Sequence, residues 1–317
     1  DDPGPEAPWP RVAWLMSFPN SGTSFTMKLI QRVTNLTAAT NYGKECDKNG
    51  LASDGTNIPL YSKSPGGPFL LSANTRAVPE RYVMTKTHCG GRCNSCGPKK
   101  YIMDEESFLD WCLLGGKYVP EEDGASMDFI NVHYNASLVA RAIHLIRDPF
   151  DNVVSNFHLE QHERSKSGDK KWLAKFSNDQ EGFQNWCGYL DSRYTEEESN
   201  HKAIDKKMIK MFKDVPCHGD FYRYAQWHNY AIKVTRRLKL PTLVMHYENY
   251  GKDYQNSVEL LLGFLQLPKN GIPANFVAGK SYKMDFFTEK QRNATMALIQ
   301  SLTDKDAWEL LKRYEES

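Results

Sequence analysis

The sequence predicts an α/β fold in which a central parallel sheet is flanked by helices. Two patterns predict it. Four short apolar runs read as strands buried on both faces, and segments with helical periodicity separate them. Buried strands alternating with helices argue for a parallel sheet covered on both sides.

The first run is Val12-Ala13-Trp14-Leu15-Met16-Ser17-Phe18. The turn Pro19-Asn20-Ser21-Gly22 follows it, and Thr23 to Val33 reads as a helix. Further strands are expected at Tyr82-Val83-Met84-Thr85-Lys86, Ala142-Ile143-His144-Leu145-Ile146 and Thr242-Leu243-Val244-Met245-His246. Helices are expected after Pro149 and after Lys252, the latter with Val258, Leu261, Leu262 and Leu265 on one apolar face. Long polar stretches interrupt this pattern. Asn41 to Pro79, rich in Gly, Ser, Asn and Pro, reads as a loop region. His162 to Lys171 is a dense mixed-charge run, and a helical insertion is expected from there to about Lys213. Such long insertions are often lids or binding loops.

The 317 residues carry 40% hydrophobic and 25% charged residues, an ordinary balance for a folded chain. Residues 1–10 read as a flexible leader and residues 11–317 as a single domain. A start other than Met is compatible with removal of a signal or membrane anchor. A formal net charge of +1 gives no global field toward nucleic acid or anionic membrane, so any anion site must be local. The seven cysteines, an odd number, leave at least one thiol unpaired within the chain. Disulfides and three glycosylation sequons, at Asn35, Asn135 and Asn293, favour a Golgi-like secretory lumen over the cytoplasm.

The turn after the first strand has the composition of a phosphate cradle. A strand that ends in a tight turn and opens a helix presents backbone N–H groups and a helix dipole to an anion. Gly22 permits close approach, and Ser21, Thr23 and Ser24 add hydroxyl donors. The same turn would also serve as a plain connection capped by Ser21 or Thr23. It is not a Walker A loop, which needs Lys directly after the second Gly; Thr23 follows Gly22. A second anchor is Arg147-Asp148-Pro149-Phe150-Asp151-Asn152-Val153-Val154-Ser155. Arg147 ends a predicted strand, Asp148 and Pro149 suit a helix start, and Ser155 falls about two turns along it. A guanidinium and a hydroxyl converging there suit a phosphate. The alternative is a salt bridge from Arg147 to Asp151 with a solvent-facing serine.

Both segments resemble motifs of the sulfotransferase family. Pro19-Asn20-Ser21-Gly22-Thr23-Ser24 is similar to its 5′-phosphosulfate loop, typically Pro-Lys-Ser-Gly-Thr-Thr, with Asn20 in place of the Lys. Arg147 and Ser155 match its 3′-phosphate ligands, and Phe25 sits where many members stack adenine on Trp. Lys86-Thr87-His88 resembles a third motif, which implies His88 as general base and Lys86 as a sulfate contact; a lone strand-end His is otherwise more often structural. Tyr247-Glu248-Asn249-Tyr250 and Phe264-Leu265-Gln266-Leu267 are similar to the family's Tyr-Glu-Asp-Leu and Phe-Leu-Gly-Leu region.

The resemblance implies a P-loop-like nucleotide-binding core and the cofactor 3′-phosphoadenosine-5′-phosphosulfate, leaving 3′,5′-diphosphoadenosine as product, with no metal. The partner would be an acceptor hydroxyl or amine on a carbohydrate, small metabolite, lipid or peptide. The family's C-terminal 3′-phosphate motif is not visible; Lys280, Lys283 and Lys290 are candidate substitutes. After His88, Cys89, Cys93 and Cys96 stand where the family commonly continues Leu-Pro. They lack the partners of a zinc site and read as disulfides shaping a lid, with ordinary free thiols as the alternative. Two other classes stay open, a nucleotide-dependent kinase with a degenerate loop and a non-catalytic binding descendant.

Overall fold

The structure, a computed structural model, describes residues 9–42, 57–64, 67–69, 76–91, 96–120, 127–277 and 281–315. In chain order it begins with β1 (Arg11–Ser17), α1 (Thr23–Thr34), β2 (Ala38–Thr40), β3 (Asn57–Ser64), β4 (Gly67–Phe69) and β5 (Tyr82–Thr87). The helices α2 (Pro98–Tyr101) and α3 (Glu105–Leu113) lead to a hairpin, β6 (Leu114–Pro120) and β7 (Met127–His133), and then to β8 (Val139–Ile146). A helical block follows: α4 (Pro149–Ser167), α5 (Lys170–Lys175), α6 (Gln180–Asn200), α7 (Lys206–Phe212) and α8 (His218–Arg237). The chain then forms β9 (Thr242–His246), α9 (Asn249–Lys252), α10 (Tyr254–Leu265), α11 (Lys283–Phe286), α12 (Glu289–Leu302) and α13 (Lys305–Leu311).

The main sheet has the order β4-β3-β2-β5-β1-β8-β9. Every pairing from β3 to β9 is parallel, and β4 adds an antiparallel edge. The four predicted strands are β1, β5, β8 and β9, three of them side by side at the centre. β1, β5 and β8 are buried along nearly their whole length because both faces are covered, whereas β9, expected to be buried, lies at the sheet edge and is only partly covered. Along β1, Val12, Trp14 and Met16 pack into one core with Phe150, Phe157, Trp186 and Trp227 of α4, α6 and α8. Ala13 and Leu15 point the other way, into a core with Leu29 and Ile30 of α1 and Leu261 and Leu265 of α10. The alternation is the pleat itself.

The loop expected over Asn41 to Pro79 is corrected in part, since β3 and β4 lie within it. β3 lies between β2 and β4 and carries Pro59, which cannot donate to a ladder, so it lacks the continuous signature of the central strands. The mixed-charge run from His162 is helical to Ser167, where Gly168 ends α4 in the left-handed region at φ 72°. Of the expected leader, Trp9 is described; it packs edge-on against Tyr82 at 5.5 Å. Two disulfides are placed, Cys89–Cys112 and Cys187–Cys217, and Cys96 is also disulfide-bonded. Cys46 and Cys93 lie outside the described residues. Among the described residues no helix is long and apolar enough to cross a membrane.

Candidate active site

Three adjacent parallel strands, β5, β1 and β8, release the three candidate segments from their carboxyl ends. His88 follows β5, the Pro19–Gly22 turn follows β1, and Arg147 follows β8. Open parallel sheets bind ligands at that edge. A cleft of about 460 Å³ lies there, lined by Asn20, Gly22, Thr23, Ser24, Phe25, Lys86, His88, Arg147 and Ser155 among others.

The turn after β1 is held by unusual backbone angles. Asn20 stands at φ 66° and Gly22 at φ 91°, and Asn and Gly are the residues that most readily occupy this region. A Cβ on Gly22 would lie 2.2 Å from Cδ2 of Tyr247, so no side chain fits. Gly22 is therefore the residue at the start of α1, not Ser21 or Thr23, and it offers no side-chain cap; the first turn also carries no acid. The other described helices of nine residues or more differ. Asp104, Asp148, Asp179, Asp253 and Thr288 cap α3, α4, α6, α10 and α12, while α8 has Asp220 in its first turn. The start of α1 thus leaves backbone N–H groups and positive dipole for an anion.

Within this turn the hydroxyls divide. Ser21 is wholly buried, and its Oγ accepts from Asn152 Nδ2 at 3.0 Å. Thr23 Oγ1 bonds Ser17 Oγ beneath the cleft, and Ser24 is exposed. Phe25 is half-buried and meets Tyr250 and Phe276 edge-on, each at 5.1 Å, so it belongs to an aromatic cluster as well as to the cleft wall.

The second anchor folds onto the first. Asp148 caps α4 by accepting from Phe150 N at 2.8 Å, and Pro149 occupies the first turn. Burial pushes the Asp148 carboxyl up to about 7, and the neighbouring Asp151 charge adds to the rise. Arg147 Nη1 donates to the carbonyl of Asn20 at 2.8 Å, and its guanidinium sits 5.0 Å from the Tyr247 ring centre. Its Nε is buried with no hydrogen-bond partner. Asp151 takes no salt bridge from Arg147; its Oδ1 accepts from Tyr282 N at 2.6 Å. Asn152 Nδ2 also donates to Pro19 O at 2.7 Å, and Asn156 Oδ1 accepts from Asn20 Nδ2 at 3.3 Å. Residues four apart share a helix face, so α4 grips the turn from one side while Ser155 lines the cleft between them.

His88 is fixed on every side. Its N–H donates to the Tyr42 hydroxyl at 2.7 Å, and its carbonyl accepts from Trp227 Nε1 at 2.7 Å and from Gly91 N at 2.8 Å. The ring stacks on Tyr42 at 5.5 Å, and Cys89–Cys112 ties the next residue to α3. Its Nδ1 lies 2.8 Å from the Ser17 carbonyl. A carbonyl only accepts, so Nδ1 carries the proton and Nε2 holds the basic lone pair. Lys86 is buried along the cleft, with Nζ 5.8 Å from the Tyr42 ring centre.

Of the candidate substitutes for the missing C-terminal motif, Lys283 and Lys290 do not line this cleft. Lys283 Nζ is buried and donates to the Tyr314 carbonyl at 2.6 Å, and Lys290 pairs with Asp214 at 2.7 Å. Lys280 lies outside the described residues. Sequence reasoning missed Asn152, Asn156, Asp220 and Arg223, all of which line the cleft. The two asparagines carried a signal, four apart beside Ser155. Asp220 and Arg223 carried only an i,i+3 acid–base pair, which usually lies in solvent.

No curated protein matches the chain. Among solved structures, a mouse sulfotransferase complexed with PAP is similar at 14% identity, covering 96% of this chain and 89% of its own, with TM-score 0.39. A sulfotransferase from Alicyclobacillus acidocaldarius is similar at 13% identity, covering 95% and 98%, with TM-score 0.37. The family comparison reaches further, because the sulfotransferase domain matches residues 10–283, most of the chain and all three site segments. The chain therefore belongs to the sulfotransferase domain family.

Proposed function

We propose that the protein transfers a sulfuryl group from 3′-phosphoadenosine-5′-phosphosulfate to an acceptor hydroxyl, with His88 as general base. The observation that carries this reading is the bond from Arg147 to the Asn20 carbonyl. It joins the two anion-binding segments in one cleft with His88. The residues present suit a doubly phosphorylated nucleotide, since an uncapped helix start and the Arg147 side chain both lie at the cleft.

On this reading the N–H groups at the start of α1 and the Thr23 and Ser24 segment hold the 5′-phosphate. Arg147 and Ser155 hold the 3′-phosphate, and Phe25 flanks the base. The cofactor supplies a sulfuryl group whose S–O bond to the 5′-phosphate breaks as the acceptor oxygen attacks. His88 Nε2 takes the proton of that oxygen, its ring held by the Ser17 carbonyl. Lys86 places a charge beside the oxygen that becomes negative. The disulfides support an oxidising compartment such as a secretory lumen.

The test is His88→Ala, assayed with labelled cofactor and by calorimetric titration with 3′,5′-diphosphoadenosine. Transfer should fall at least a hundredfold, the usual share of a general base, with nucleotide affinity retained. Transfer that survives the substitution would remove His88 from the role. Preferential binding of ATP with Mg²⁺ would favour a kinase instead, and nucleotide binding without turnover a non-catalytic descendant.

A further inference from the structure

We infer that Tyr314, far along the chain from the cleft segments, is a positioning residue that aims Arg147 at the nucleotide by holding Glu248. This rests on the cofactor reading above and deepens it, since neither Tyr314 nor Glu248 lines the cleft. Arg147 is aimed by the peptide unit that follows it. The carbonyl of that unit, Arg147 O, accepts from the Tyr224 hydroxyl at 2.6 Å, and its N–H, on Asp148, donates to Glu248 Oε1 at 2.8 Å. The unit is planar, so bonds at its two ends fix its orientation. That orientation sets the direction in which the Arg147 side chain leaves β8 to reach the Asn20 carbonyl at 2.8 Å.

Glu248 is itself held by Tyr314. The phenol donates to Glu248 Oε2 at 2.8 Å. Burial, and after it the Glu248 charge, keep the phenol's pKa well above its ordinary value, so the proton stays on Tyr314. Its oxygen also lies 2.8 Å from His246 Nδ1. Burial, and then the Arg313 charge, hold that imidazole down at about 4. It is therefore neutral near neutral pH and donates its one N–H to the phenol oxygen.

The main chain closes this path into a ring. The Tyr314 carbonyl accepts from Lys283 Nζ at 2.6 Å, and Tyr282, beside Lys283, donates its N–H to Asp151 Oδ1 at 2.6 Å. The bonds leave the first turn of α4 at Asp148, pass through Glu248, Tyr314 and Lys283, and return to the same turn at Asp151. Tyr314 and Lys283 are buried, so water does not replace a bond lost between them. Linked buried bonds of this kind support one another beyond the sum of single pairs. Lys283 thus bears on the cleft through Tyr314 without lining it. Tyr314→Phe keeps the ring and removes the hydroxyl. Glu248 Oε2 then loses that donor, and the clamp on the Asp148 N–H loosens.

The experiment is calorimetric titration of the full chain with 3′,5′-diphosphoadenosine. Tyr314→Phe is expected to lower affinity about threefold to tenfold. In an Arg147→Ala background the same substitution should change affinity by less than about twofold, because the guanidinium it positions is gone. An equal loss in both backgrounds is general loosening of the fold and overturns the inference, as does unchanged affinity for Tyr314→Phe alone. Glu248→Gln breaks the link at its other end, since one amide oxygen faces either Asp148 or Tyr314 but not both. It is expected to give a similar loss. Unchanged affinity in Glu248→Gln overturns the inference even where Tyr314→Phe or the double variant folds or binds too poorly to titrate. Failure of the parent chain to bind diphosphoadenosine would instead remove the cofactor reading, and this inference with it.

Discussion

Replacing Gly22 by Ala is expected to damage stability and nucleotide binding together, through two separable effects. The first is conformational. At φ 91° an L-residue occupies the left-handed region, at a cost of about 1–2 kcal/mol. The second is steric. The new Cβ would stand 2.2 Å from Cδ2 and 2.3 Å from Cε2 of Tyr247, where ordinary contact begins at 3.4 Å. The ring must retreat, and overpacking of this kind costs about 1–3 kcal/mol. Together the loss is roughly 2–5 kcal/mol in denaturant unfolding. Tyr247 also underlies the Arg147 guanidinium at 5.0 Å, so its retreat carries the anchor with it. Diphosphoadenosine affinity, by calorimetric titration, should therefore fall at least tenfold, about 1.4 kcal/mol. Tyr247→Ala separates the effects. Adding Gly22→Ala to it should cost only the conformational part, about 1–2 kcal/mol. If Gly22→Ala alone unfolds within about 0.5 kcal/mol of the parent and binds nucleotide unchanged, the cradle geometry argued here is wrong.

Arg147→Lys keeps the charge but loses the planar fork that reaches Asn20, so the cofactor KM should rise about tenfold or more with kcat less affected; equal kinetics would count against the fork. Replacing Cys89 and Cys112 by Ala opens a link across 23 residues and should cost about 3 kcal/mol of stability. It should also lower kcat by loosening His88 while nucleotide affinity stays within about twofold, and unaltered kcat would show that the tether does not position the base. His218 bears on pH dependence away from the cleft. Burial opposes its charge, but Asp191 at 3.2 Å and Glu198 at 2.9 Å overcome this and raise it to about 9. A raised folded pKa gives stability that is complete below the unfolded value near 6.5 and is lost as pH rises through about 9. That stability amounts to about 3 kcal/mol. The melting temperature of the parent should decline between those values relative to His218→Gln, and parallel curves for the two proteins would exclude the imidazolium.

The legible parts of this fold are those where one stretch of chain meets the same environment throughout. β1, β5 and β8 are covered on both faces, so each opens or carries a run of consecutive apolar residues in which the period-2 pattern is lost. The strands β3 and β4 toward one edge of the sheet and the β6–β7 hairpin have no such uniformity. Their strand character comes from a neighbouring backbone that offers hydrogen bonds, which residue type does not encode. The site divides the same way. Gly22, His88 and Arg147 each end a central strand, so a local motif carries their placement. Asp220 and Arg223 reach the cleft because α8 packs across the sheet and Arg223, in its second turn, bonds the Gly91 carbonyl. Their sequence neighbourhood looks like any helix start with a solvated acid–base pair.

Asn20 shows how the structure bears on a departure that the sequence leaves unexplained. Where the family's loop typically carries a lysine, a long cation would point from this position. Asn20 instead sits at φ 66°, gives its carbonyl to Arg147 and its amide to Asn156. The residue is a joint between the loop, Arg147 and α4. On the proposed reading, Arg147 serves both as phosphate ligand and as the brace of the loop. The neutralisation a loop lysine would give as the S–O bond breaks then falls on Lys86 and on the uncapped start of α1. Those backbone donors are already in place and cost no reorganisation when charge develops. Asn20→Lys is then not a simple restoration. It adds a cation, but it places a longer, non-amide side chain at φ 66° and breaks the bond to Asn156. The substitution should therefore loosen the loop from α4 while leaving the Arg147 bond, which uses the main-chain carbonyl, free to persist.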